Sequence, residues 1–182
     1  MRIIKHIVMA KNFNNLTTLH DLLDYDIRKF TIAEIQLEKI LRAWINKASS
    51  LKLKTILQKY LDAVEKHIQK MQSFYEEESI SSISISNRVM QAFIDEAEEK
   101  LNNCNDDAIK DACLLESVQA INHFKISTYG SARAFANTLG LEKIAAIFHE
   151  AETNEKQIDD RLSQLAEHEI NIEAKTPIFL HQ

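Results

Sequence analysis

Two glycines and one proline in 182 residues leave this chain almost without punctuation. Tight turns draw on these residues because glycine tolerates positive φ and proline presets its own. A sandwich or barrel needs a turn about every 8–12 residues, so an all-β fold is excluded and α/β is disfavoured. Long helices with few connections remain. The 45% hydrophobic content is enough for a core, which excludes wholesale disorder. A net charge of −5 with interleaved signs argues against nucleic acid as a partner. No apolar run reaches the roughly 18 residues of a membrane span. Residues 1–13 carry Lys5 and His6 inside an apolar patch and do not read as a signal peptide. Cys104 and Cys113 form no CxxC motif. The expectation is a reduced, cytoplasmic protein without a disulfide framework or a cysteine zinc site.

Apolar residues at helical spacing predict four long helices. The first spans about Thr18–Ala48, the second Leu51–Glu78, the third Asp106–Thr138 and the fourth Leu141–His168. A shorter helix is expected at Asn87–Asn103, after a serine-rich loop at Ser79–Ser86. Ser49-Ser50 breaks the first pair and supplies an N-cap; Gly140 stops the third long helix. Residues 1–15 read as an N-terminal extension, 16–168 as the bundle and 169–182 as a tail containing Pro177. Short links make antiparallel hairpins of helices one–two and three–four, and the long link permits a lengthwise crossover. This is the ferritin-like connectivity: an all-α four-helix bundle with an extra short helix in its crossover.

Charged residues inside the apolar stripes are the candidate site. Glu34 falls between Phe30 and Leu37 on the first helix. On the fourth, Glu155 centres the stripe Phe148, Ala151, Ile158, Leu162, and Asp159 lies about 40° off. The third-helix stripe is drawn through Lys110, Leu114, Ser117, Ile121, Phe124, Thr128 and Ala132, with Lys125 about 40° from Ile121. On the second helix no charge is central: Glu65 and His67 flank the stripe and Asp62 is nearly opposite. Glu34, Lys125 and Glu155 all fall near mid-bundle, where they can meet, and Tyr60 and Tyr129 flank them. A buried charge needs a partner, and the carboxylates outnumber the ammonium. A desolvated lysine with a lowered pKa could also serve as a base. A di-iron carboxylate site would need a Glu-x-x-His pair on each of two helices. None of the seven histidines has an acid three residues before it.

Several segments resemble the YciE/YciF group of ferritin-like bacterial proteins. They are Leu-His-Asp-Leu-Leu at 19–23, Ala-Glu-Ile-Gln-Leu at 33–37 and Asp-Ala-Cys-Leu-Leu at 111–115. His-Phe-Lys-Ile-Ser-Thr-Tyr-Gly at 123–130, Leu-Gly-Leu at 139–141 and Glu155-Lys156 with Asp159 extend the likeness. The resemblance implies a ferritin-like dimer, associated with stress, of undefined biochemical role. It also implies that Glu34, Glu155 and Asp159 are retained inward acids of a metal site. The group's third-helix glutamates correspond to Asn122 and Lys125, and its second-helix glutamate to Ala63, with His67 at a glutamine position. Asp62 or Glu65 could take the second-helix role instead.

The reading is a non-catalytic protein with no cofactor, in which Lys125, Asn122 and Ala63 replace the metal half of the site. Such a protein acts through association, as a homodimer or with a protein partner. The alternative is a divergent di-metal protein, an oxidase or peroxide-handling enzyme. It would hold Fe or Mn through Glu34, Glu155 and Asp159 with Asp62, Glu65 or His67. Iron storage would require a hollow shell.

Overall fold

The computed structural model describes residues 16–77 and 86–175. The 1–15 extension, most of the 79–86 loop and the end of the tail lie outside the described residues. Five helices carry the fold: α1 (Leu19–Lys47), α2 (Leu51–Glu77), α3 (Arg88–Asn102), α4 (Asp107–Thr138) and α5 (Glu142–Leu165). A π-helical stretch (Ala166–Ile170) and a last turn, α6 (Asn171–Ala174), extend α5. The fourth long helix was expected to end near His168. The chain instead stays helical to Ala174, because Leu165, Ala166 and Ile170 are buried against the rest of the core.

Each boundary has a local cause. Thr18 caps α1 in a reciprocal capping box with Asp21. Ser50 Oγ accepts from Leu53 N at 3.3 Å. Asn87 Oδ1 accepts from Met90 N at 3.0 Å, and Asp106 Oδ1 accepts from Ala108 N and Ile109 N. The end of α4 is a Schellman turn: Leu141 N donates to Ala136 O at 2.9 Å and Gly140 N to Asn137 O at 3.1 Å. Gly140 adopts φ +68° there, a left-handed conformation that costs other L-residues free energy.

Side chains set the helix directions. Asp111, near the start of α4, accepts from Ser49 N at 2.8 Å and Ser50 N at 2.7 Å. Helix α4 therefore starts at the bundle end where α1 finishes and α2 begins. Along the crossover, Asn87 Nδ2 donates to Lys29 O, Gln36 Nε2 to Gln91 Oε1, and Trp44 Nε1 to Glu98 Oε1. Helix α3 thus runs parallel to α1 and returns the chain over the bundle's length. The packed neighbours are α1–α2, α2–α5, α5–α4 and α4–α1, with α3 laid over α1 and α4. That is the ferritin-like arrangement.

The α4 stripe is rotated from the one read in the sequence. Its buried face runs through Asp111, Leu114, Val118, Ile121, Asn122, Lys125, Tyr129, Ala132 and Ala136. Phe124 is only partly buried; its ring lies 5.7 Å from that of Phe93. The crossover helix covers this flank, so apolar residues appear on two faces of α4 and a single-stripe reading averages them.

Apolar packing divides into two clusters. The larger holds Leu37, Leu41, Trp44, Leu57, Val64, Leu114, Ile121 and Leu162; the smaller holds Phe30, Met71, Tyr129, Ala132, Phe148 and Ala151. Asp111→Ala should cost about 2–4 kcal/mol, because two charge-assisted hydrogen bonds are lost and their donors left behind. Gly140→Ala should cost about 1 kcal/mol. Urea titration of both variants checks this; an Asp111→Ala protein as stable as wild type would remove the long-range cap from the account.

Candidate functional site

A polar layer sits on the boundary between the two clusters. Glu34 follows Phe30 by one turn on α1, and His67 precedes Met71 by one turn on α2. Lys125 lies between Ile121 and Tyr129 on α4, and Glu155 between Ala151 and Ile158 on α5. All four side chains are buried. Each occupies a core position of its helix at one level, so the four meet on the bundle axis.

The ammonium of Lys125, 2% exposed, lies 2.9 Å from Glu34 Oε2 and 2.6 Å from Glu155 Oε1. These contacts have ion-pair distances without the angles of aligned hydrogen bonds. Charge holds the ammonium, helped by the Tyr60 and Tyr129 rings, whose centroids are 4.8 and 5.8 Å away. The other carboxylate oxygens are met by neutral donors. Tyr60 Oη donates to Glu155 Oε2 at 2.7 Å, and Asn122 Nδ2 to the same atom at 2.8 Å. Asn122 Nδ2 also reaches Glu155 O at 3.0 Å. Tyr129 Oη donates to Glu34 Oε1. His67 Nδ1 lies 3.1 Å from the same oxygen and 3.8 Å from Glu155 Oε1. Asn154 Nδ2 lies 3.2 Å from His67 Nε2. With Nδ1 carrying a proton, His67 donates to Glu34, and Asn154 faces its other ring nitrogen.

Burial and charge oppose each other here. Burial would raise Glu34, but Lys125 and then His67 outweigh it and hold Glu34 below the usual carboxylate range. For Glu155 burial prevails, and the charge of Glu34 adds to it against Lys125, so this carboxyl is pushed up. Burial pulls Lys125 down, yet Glu155 and Glu34 reverse that and hold the ammonium above the ordinary lysine value. This favours the salt-bridge reading of Lys125 over its use as a base. Burial, Glu155 and Glu34 push Tyr60 well up, which keeps it a donor.

Four sequence candidates, Asp159, Asp62, Glu65 and Ala63, lie outside this layer. Asp159 is partly exposed and pairs with His123 Nε2 at 2.8 Å, because its offset from the stripe turns it toward the flank of α4. Asp62 is exposed and accepts from Gln58 Nε2 at 2.9 Å. Glu65 pairs with Arg42 at 2.5 Å on the α1–α2 flank. Of the second-helix candidates, only His67 reaches the layer. Ala63 lines a separate open groove between α2 and α5 with Lys59, Lys66 and Arg161. Asn154 was not singled out in the sequence; its role depends on α2 lying beside α5, which no periodicity reveals. Among the described residues, Glu34, His67 and Glu155 are the three metal-capable groups brought together, with one ligand atom from each within 4.8 Å of the others.

Fold and site together define a ferritin-like bundle with a buried carboxylate layer. Residues 18–175 match the family described as a domain of unknown function, DUF892, and the chain belongs to that family. It is 28% identical over 162 residues to the protein YciF of Escherichia coli strain K12, covering 88% of this chain and 98% of that one. The crystal structure of the E. coli stress protein YciF aligns with a TM-score of 0.79, at 27% identity over 86% of this chain and 99% of that chain. YcfI from Rhodopseudomonas palustris shares the fold with a TM-score of 0.78 at 24% identity, covering 86% of this chain and 98% of its own. A two-domain protein from Anabaena variabilis contains a ferritin-like domain and aligns with a TM-score of 0.62 at 16% identity. That match covers 91% of this chain and 42% of the two-domain protein. None of the described helices is long and apolar enough to cross a membrane.

Removing the ammonium should be costly. Lys125→Met leaves two buried carboxylates without a cation and should destabilise by about 3–5 kcal/mol near neutral pH. The sign with pH follows from linkage. In the wild type Glu34 is lowered, so its contribution is present above the ordinary carboxylate value and lost as pH falls through its folded pKa. Glu155 is raised, so its contribution is full at acid pH and lost as pH rises through its folded pKa. In Lys125→Met both carboxyls are raised. The deficit against wild type should therefore be larger at pH 8 than at pH 5. Urea unfolding at the two pH values checks this; a pH-independent deficit would mean the carboxylates do not depend on Lys125.

Proposed function

We infer that this chain is a non-catalytic, ferritin-like DUF892 protein whose central carboxylates are neutralised by its own lysine in place of a metal ion. The observation that carries this is the Lys125 ammonium lying 2.9 Å from Glu34 and 2.6 Å from Glu155. A dication brought within about 4 Å of that ammonium would be repelled by about 8 kcal/mol at an effective dielectric of 20. Tyr60, Asn122, Tyr129 and His67 already occupy the remaining carboxylate oxygens. The donor set therefore suits an ammonium better than a divalent ion. The protein acts by association, as a homodimer or with a protein partner, in the cytoplasm. Its E. coli relative YciF is a stress protein, which supports a stress-associated role. We keep the division into a 1–15 extension, a 16–168 bundle and a 169–182 tail as a proposal, the first part of that tail continuing the last helix to Ala174.

One observation favours the alternative, a di-metal oxidase or peroxide-handling protein: Glu34, His67 and Glu155 offer three convergent ligand atoms. It requires Lys125 to swing away. Loading the protein anaerobically with Fe(II) or Mn(II), desalting and counting ions by elemental mass spectrometry separates the two. Wild type should retain fewer than about 0.2 ions per chain, and Lys125→Glu, which supplies a further carboxylate, should retain about one. One or two ions on the wild type would overturn the proposal and direct attention to oxidase assays.

A further inference from the structure

The two cysteines lie far from the buried layer, at the end of the bundle where the crossover helix hands over to α4. Cys104 stands in the turn between α3 and α4; Cys113 stands on the second turn of α4. Their sulfurs are 3.3 Å apart. Nothing in a spacing of nine predicts this closeness. It follows from how the turn is held. Asn103 N and Cys104 N donate to Lys100 O and Leu101 O, closing the end of α3. Cys104 Sγ lies 3.2 Å from Lys100 O, which turns the thiol back toward the helices. Asp106 fixes the start of α4 by capping two of its N–H groups. The Lys100–Glu116 ion pair at 3.0 Å ties α3 to α4 one turn further on. Both cysteines are partly exposed, so a small oxidant can reach them.

We propose that Cys104 and Cys113 form a dithiol that a hydroperoxide closes to an intramolecular disulfide, clamping the end of the crossover helix to α4. The sulfurs need to approach from 3.3 Å to about 2.05 Å, and the non-helical turn can supply that movement. Cys104 loses its proton and attacks one peroxide oxygen as the thiolate; an S–O bond forms, the O–O bond breaks, and the departing alkoxide or hydroxide takes up that proton to leave as an alcohol or water. Cys104 is then a sulfenic acid, oxidised by two electrons. Cys113 sulfur attacks Cys104 sulfur, the S–S bond forms, and the hydroxyl leaves with the Cys113 proton as water. In sum two thiols and one hydroperoxide give a disulfide, an alcohol or water, and a further water. The order follows from environment: burial, then Cys104, pushes the Cys113 thiol up to about 11. Cys113 is therefore the poorer initial nucleophile and is suited to the closing step, where the neighbouring sulfur is already in reach.

The test uses the full-length reduced protein at low concentration with a small molar excess of hydrogen peroxide. Remaining thiols are alkylated and the intact mass is measured. The expected product has no disulfide between chains, takes up no alkylating agent and is about two daltons lighter than the reduced chain. Trypsin should release Leu101–Lys110 joined to Asp111–Lys125, and dithiothreitol should return both thiols. In Cys113→Ser, a dimedone adduct should appear on Cys104. Retention of both thiols, oxygen-adduct masses without the joined peptide, or Cys104→Ser losing its Cys113 thiol as fast as wild type would overturn the pairing.

Discussion

The ammonium of Lys125 between two buried carboxylates is the interaction on which the rest of the molecule is arranged. Glu34 and Glu155 come from opposite helical hairpins, and neither could be buried without a positive neighbour. Placing that charge on α4 joins α1 and α5 through a third helix. The two tyrosines then have a double use: their rings lie beside the ammonium, and their hydroxyls donate to the carboxylates it does not saturate. The layer also explains why the apolar core is split. Phe30, Met71, Tyr129 and Phe148 gather on one side of it, and Leu37, Val64, Ile121 and Ile158 on the other.

Such a layer demands that four helices agree in axial register, and apolar packing alone tolerates sliding. The Asp111 cap supplies one fixed point, because its carboxylate meets two particular amides in the α1–α2 turn. The Schellman turn at Gly140 supplies another at the opposite end, setting where α5 starts relative to α4. The crossover helix adds lateral ties through Asn87, Gln91 and Glu98. Directional polar contacts at the ends thus align the charges at the middle.

Much of this was legible in the chain itself. Scarcity of glycine and proline gives the helices, link lengths give the crossover, and helical phase gives Glu34 and Glu155 as inward acids. Lys125 was visible for the same reason, although its stripe was drawn through Phe124 and so displaced. A helix that contacts both the core and an outer helix has two apolar faces, and phase from one sequence blends them. Asp159 shows the limit from the other side: an offset of about 40° was enough to send it to His123. Asp111, Asn154 and the Cys104–Cys113 contact were not legible as partnerships, since each depends on which helices are neighbours. On α2, the weakly marked register left Asp62, Glu65 and His67 open together, and only tertiary packing selects the histidine.

On the function proposed above, the charge balance of the layer carries a further consequence. Two carboxylates facing a dication would be neutral as a set. Two carboxylates facing one ammonium retain one negative charge, and an apolar surround disfavours it. Glu34 and Glu155 respond unequally: the first is held down by Lys125 and His67, while the second is pushed up by burial and by the first. Each carboxylate receives two further donors beside the ammonium, His67 and Tyr129 at Glu34 and Tyr60 and Asn122 at Glu155, so the inequality comes from burial and charge and not from the number of donors. The charge that a dication would balance is met here by Lys125 and by the hydrogen bonds of Tyr60, Asn122 and Tyr129. Lys125 therefore ties the charge balance of the layer to the packing of α4 against α1 and α5.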